Sequence, residues 1–265
     1  MSIAATPSLD VAPMPRMLWT QTRAMVTNTL RIPAFSLTTI ILPIMFFAFF
    51  GLSHVNDKIP GSSLSVGAYL MASFGAYAVS SAMVFNFGIG AAVARAQKLD
   101  LLQRATPLPP AVAIAANVIN AMVFALLSLI ALFLFVFIVG GVRLPVETWL
   151  SLTFRLLTGA LPLIGLGMAI GYSAGPNSAP AVANLIYLPM SFASGLFIPV
   201  SQLPDFIQKI APLLPTYHYG QLAWNAIGAD TESVGRAVLY LGIWSVVLFG
   251  VAVRAFRLDQ SRKFS

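Results

Sequence analysis

What constrains this chain most is where its charged side chains are missing. Residues 32–53, between Arg31 and His54, carry none; nor do residues 59–94, after Lys58, or residues 105–142, between Arg104 and Arg143. About 20 consecutive apolar residues suffice for a helix to cross the ~30 Å hydrocarbon core of a bilayer, and each interval meets that length. Composition agrees: 58% of the residues are hydrophobic and 9% are charged, whereas a soluble domain carries ~25% charged residues. The pattern predicts an all-α integral membrane fold.

Two further intervals complete the expected topology. Residues 156–204 are charge-free, and at ~1.5 Å per residue that run is well over twice the length of one pass. The stretch "AGPNSAP" (174–180) divides it, because Gly, Pro and Asn gather there as turn formers. A last apolar run lies between Arg236 and Arg254. Six transmembrane helices are expected, near 34–53, 64–90, 111–139, 150–173, 179–199 and 236–254. They make a transmembrane domain over 34–256, with a cytoplasmic N-terminus at 1–33 and a basic cytoplasmic tail at 257–265.

Basic residues orient these spans. Arg16, Arg23, Arg31, Arg95, Lys98, Arg104, Arg254, Arg257, Arg262 and Lys263 fall on one side, and Lys58, Arg143, Arg155, Lys209 and Arg236 on or near the other. Ten against five puts both termini in the cytoplasm. The net charge of +7 therefore reads as membrane orientation, not nucleic-acid binding. The first 33 residues lack the apolar core of a cleavable signal, so retention of the N-terminus is expected. Within "MPRMLWTQTRAMVTNTLRIP" (14–33), Arg16 and Arg23 share one helical face and Leu18 and Met25 another, with Trp19 suited to headgroup level. That spacing predicts an amphipathic interfacial helix; the plain alternative is a tail leading into span one.

Several chemistries are excluded or disfavoured. A P-loop needs a lysine directly after glycine, and the four lysines follow Asp57, Gln97, Gln208 and Arg262. With no cysteine there is neither a disulfide nor a thiolate metal site, and two distant histidines, His54 and His218, make a poor one. A Ser194/His218 protease is disfavoured: a serine beside glycine in an apolar helix serves packing, and His218 between two tyrosines reads as a membrane-interface residue. Ion-coupled carriers place ionisable groups near the midplane, yet no carboxylate lies deep in any expected span. Arg155 is the one charge inside a span, about a turn from its outer end, where it either snorkels outward or lines a hydrophilic pathway. In "GLGMAIGYSAG", Gly167, Gly171 and Gly175 share a face suited to close helix packing, within the chain or in a dimer.

Two segments stand out. "RAQKLDLLQRATPLPP" (95–110) is the longest internal cytoplasmic loop, and Leu99, Leu101 and Leu102 leave apolar knobs on a short basic helix ended by Pro107. Exposed leucines of this kind call for docking on protein or lipid; a solvated basic loop is the simpler alternative. "SGLFIPVSQLPDFIQKIAPLLPTYHYG" (194–220) is apolar, yet it holds prolines 199, 204, 212 and 215 with Asp205 and Lys209 between them. Pro199 ends span five, Pro204 and Asp205 start a short helix carrying Phe206, Ile207 and Ile210, and Pro212 and Pro215 stop it. A re-entrant helical lid in the outer leaflet between spans five and six is expected, made by Ser194, Gly195, Pro199, Pro204, Phe206, Ile210, Pro215 and Tyr217.

Over nearly its whole length the chain resembles the membrane permeases of ABC-2 type transporters, the group of bacterial drug, lipid and polysaccharide exporters. "RATPLPP" (104–110) and Ser194, Gly195, Pro199, Leu203, Pro204, Leu214, Pro215, Thr216 and Tyr217 occupy the positions of that family's pattern. The resemblance implies an ATP-driven exporter in the bacterial inner membrane, in which two permease copies, as homodimer or heterodimer, pair with two ATPase subunits. ATP and Mg would be bound by that partner, and this chain would bind no cofactor and be no enzyme. Arg95, Lys98, Leu99, Asp100, Leu101, Leu102 and Arg104 would form the ATPase-coupling helix. The pattern departs at Ala96 and Lys98, where an acidic residue and a glycine are common. The competing classes are a carrier that works without an ATPase and a non-transporting membrane signalling or assembly subunit.

Overall fold

A computed structural model describes residues 12–31, 33–59, 64–98, 108–229 and 232–263. Among them the chain folds into helices joined by short connections: α1 (Met14–Leu30), α2 (Pro33–Phe50), α3 (Val66–Ala96), α4 (Pro110–Ile138), α5 (Val146–Gly159), α6 (Leu161–Ser173), α7 (Ala179–Ala193), α8 (Asp205–Ile210), α9 (Pro215–Ala226) and α10 (Val234–Lys263). Four stretches are long and apolar enough to cross a membrane: α3, α4, the α5–α6 unit Val146–Ser173, and α10 over Val234–Asp259. Shorter apolar helices are Thr39–Phe50 within α2, and α7.

The hub is α3. It starts cleanly, with the Ser65 hydroxyl accepting from the Ala68 amide at 3.1 Å, and α2, α4, α6, α7 and α9 all pack around it. Its sequence explains that crowding. Gly67, Ala68, Ala72, Ser73, Gly75, Ala76, Ala78, Ser80, Ser81 and Ala82 are buried, and small side chains let neighbouring backbones come close. The tightest crossing is with α6: a Cβ at Gly167 would sit 2.7 Å from the Val84 carbonyl oxygen, and one at Gly171 would sit 2.7 Å from that of Gly88. Gly165 faces the other way, where a Cβ would meet Leu248 and Phe249 of α10 at 3.1 Å. One short helix thus joins α3 to α10. The glycine stripe is used inside the chain at Gly167 and Gly171, whereas Gly175 is exposed.

The helix boundaries differ from the expected spans for local reasons. Span four is two helices, because Pro162 brings no amide hydrogen and its ring interferes with the preceding turn, so α5 ends and α6 begins around Ala160. Helix α7 stops at Ala193, short of the expected 199, because Gly195 adopts φ +86. The amides of Gly195 and Leu196 then bond back to Phe192 and Ser191, closing a Schellman cap. The last helix continues past 254 to Lys263. Helix α1 lies against α4, with Leu18 and Met25 half-buried and Trp19, Arg16 and Arg23 exposed.

Backbone-to-backbone contact leaves Gly171 no room for a side chain. Gly171→Leu is expected to lower stability by about 3 kcal/mol. Gly242→Leu, where a Cβ meets nothing within 4 Å, is expected to be near neutral. Thermal unfolding of both variants in one detergent measures the contrast.

Candidate functional site

The segment that follows α7 folds back onto the bundle and is held at four points. First, the Ser194 hydroxyl donates to the Met190 carbonyl at 2.6 Å and pairs with the Thr216 hydroxyl, so the end of α7 is joined to the start of α9. Second, Phe197 is buried in an aromatic cluster, 4.8 Å from Phe46, 5.5 Å from Phe74, 5.3 Å from Tyr77 and stacked on Phe192 at 4.0 Å. Such pairs add ~0.5–1.5 kcal/mol each beyond burial of area. Third, the Trp224 indole donates to Ser73 on α3 at 2.7 Å while its ring stacks on Tyr69. Fourth, the Tyr219 hydroxyl donates to the Leu156 carbonyl at 2.8 Å.

Between these anchors the chain is exposed. Pro199 precedes a short 3-10 turn over Val200–Gln202, and Pro204 precedes α8, whose Phe206 and Ile210 are 65% and 44% exposed. Pro215 was expected to stop a helix; instead it opens α9. A proline at the first helical position loses no hydrogen bond there, because that amide has no partner within the helix. Tyr217 is half-buried on α9.

His218 is enclosed by the chain itself. It is 1% exposed and stacked on Tyr240 at 4.2 Å. Its Nδ1 lies 2.5 Å from a Glu232 carboxylate oxygen and its Nε2 lies 2.8 Å from the Pro212 carbonyl. Both nitrogens face acceptors, so a ring protonated on both donates twice. The hydrogen bonds of Ser194 and His218 therefore go to different partners. The Arg155 guanidinium donates to the Asn225 side-chain oxygen on α9 at 2.5 Å. Asn225 and Glu232 carried no sequence signal, since each sits in an ordinary polar position next to a turn.

At the opposite end α3 stops at Ala96, and Lys98 takes φ +55 with its amide bonded to the Arg95 carbonyl at 3.1 Å. This is the left-handed position that glycine fills at Gly195 and Gly228. The Arg95 side chain turns inward: it donates to the Gly171 carbonyl at 2.6 Å and the Ala174 carbonyl at 3.3 Å, and pairs with Asp259. Leu99, Asp100, Leu101, Leu102 and Arg104 lie outside the described residues.

The geometry describes a helical membrane protein with an anchored segment before its last helix. The ABC-2 type transporter family matches residues 16–226, and the chain belongs to that family. It is 31% identical over 207 residues to "Putative transport permease YvfS" of Bacillus subtilis (strain 168), covering 78% of this chain and 84% of that one. It is also 35% identical over 116 residues to "Nodulation protein J" of Sinorhizobium fredii (strain NBRC 101917 / NGR234), covering 40% of this chain and 42% of that protein. The chain is a transporter permease of the membrane.

Gly195 combines φ +86 with a Cβ position 2.5 Å from Val200. Gly195→Ala is expected to cost about 2 kcal/mol, against about 1 kcal/mol for Gly228→Ala, which is left-handed with open space around it. Denaturation of the two variants side by side gives the difference.

Proposed function

We propose that this chain is the membrane-embedded permease of an ATP-driven exporter, working as a pair of permeases with two separately encoded ATPase subunits. The observation that carries this reading is the position of the acidic residues. Asp57, Glu147, Asp205, Glu232 and Asp259 lie in loops or near helix ends, so among the described residues no carboxylate sits at the middle of an apolar helix to drive an ion-coupled cycle. With no P-loop either, the energy source is a partner that binds ATP and Mg. Family membership supports the same arrangement.

In this reading the chain crosses the inner membrane six times, through α2, α3, α4, the α5–α6 unit, α7 and α10, with both termini in the cytoplasm as the distribution of basic residues favours. Helix α1 lies along the cytoplasmic leaflet. Residues 194–220 are the re-entrant lid, and the exposed apolar side chains of α8 sit in the outer leaflet. Residues 95–104 form the segment that couples to the ATPase. The substrate is apolar or amphipathic, since the spans offer few charges to a hydrophilic solute, and Arg155 with Asn225 is a polar step on its route.

The purified chain should hydrolyse no ATP. Reconstituted with its ATPase, Leu101→Asp/Leu102→Asp should abolish transport while membrane insertion survives. Full transport by that variant removes the coupling role, and transport by the chain alone on an ion gradient replaces the whole reading.

A further inference from the structure

Three helix ends meet at one side chain. The guanidinium of Arg95, in the last turn of α3, gives one nitrogen to the carbonyls of Gly171 and Ala174 and another to the carboxylate of Asp259. The two carbonyls belong to the end of α6, where the last four carbonyls have no partner within the helix and the helix dipole favours a cation. Asp259 lies on α10, 164 residues away in sequence. A lysine presents a single point of charge, whereas the planar fork of arginine serves several acceptors in fixed directions.

The pair is also shielded. Its side chains are 22% and 12% exposed, and removing one member of a desolvated pair leaves the other without compensation. Among the described residues Asp259 is the one carboxylate at this end of the bundle; Asp57, Glu147, Asp205 and Glu232 belong to the other. Arg254 and Arg257 on α10 are exposed, whereas the Arg95 side chain reaches Asp259 from within the bundle. The Arg95 Nε is buried without a partner, a cost the side chain bears to reach its three acceptors. The close α3–α6 and α6–α10 crossings at Gly171 and Gly165 continue the same connection into the bundle.

We infer that Arg95 is a positioning residue that, with Asp259 as its counter-charge, locks the ends of α3, α6 and α10 into one body. Rotation of the segment that begins at Lys98 is thereby delivered to α6 and α10 and is not absorbed by fraying of α3. This rests on the coupling role proposed for residues 95–104, and it assigns Arg95 to force transmission in place of contact with the ATPase.

The chain has no cysteine, so spin labels can be placed at will. Labels at Lys98→Cys and Arg257→Cys, both exposed positions, report the distance between the two ends by pulsed dipolar spectroscopy on the full chain in lipid nanodiscs. The expected result is one narrow distribution, broadened by Arg95→Gln and by Asp259→Asn and broadened less by Arg95→Lys. With the ATPase partner, Asp259→Asn should lower substrate flux per ATP hydrolysed about tenfold, while ATPase binding and hydrolysis persist. A merely structural role would lower the yield of assembled complex and leave that ratio unchanged. A distribution that stays narrow in Asp259→Asn, or an unchanged flux per ATP, overturns the inference. Failure of the wild-type chain to bind the ATPase overturns the proposed function instead, and the nanodisc distances still decide whether the lock exists.

Discussion

The close approach of α6 to α3 is the contact on which the rest of the bundle depends. Lipid offers no hydrophobic drive between apolar helices, so dispersion contacts and hydrogen bonds must hold them, and both fall off steeply with separation. Glycines at 167 and 171 bring α6 onto the backbone of Val84, Phe87 and Gly88. Gly165 then allows α10 to lie against the opposite side of α6. Without that spacing Arg95 would not reach the α6 carbonyls or Asp259, and α9 would lose the α10 surface on which His218 stacks.

Polar groups are distributed accordingly. Along α3 the serines point into the bundle and find partners: Ser73 accepts from Trp224, and Ser80 meets the hydroxyl of Tyr187, which is also 3.2 Å from the Tyr77 carbonyl. Each is an interhelical tie in a low-dielectric region where an unmade hydrogen bond costs ~1–3 kcal/mol. The segment before α10 uses the same device repeatedly, through Ser194 with Thr216, Tyr219 with Leu156 and His218 with Glu232. An apolar segment broken by four prolines is thereby held as a defined shape, with α8 and the turns beside it left outward.

Much of the fold was legible in the residue pattern because bilayers select for it. Charge-free intervals mark where helices run, and α3, α4, the α5–α6 unit and α10 each overlap one of them. The Gly-Pro-Asn cluster at 174–180 separates α6 from α7. Prolines were less readable, since the same residue begins a helix at Pro215 and stands within one at Pro189. Which of these happens depends on whether the preceding carbonyls have somewhere else to go. Lys98 shows the limit from the other side: a left-handed residue is foreseen at glycine, not at lysine.

From its sequence alone, then, this protein is determined to be a helical membrane protein with the family pattern of an ABC-2 permease, because hydropathy and the placement of charge act locally and are read locally. The tertiary structure decided which polar side chains meet: Arg95 with Asp259, Arg155 with Asn225, and His218 with Glu232 and Pro212. The first two pairings require helices distant in sequence to be brought within about 3 Å at particular heights and rotations. That registration is set by the glycine contacts of α6 and by the caps at Gly195 and Gly228. No local signal along the chain carries it.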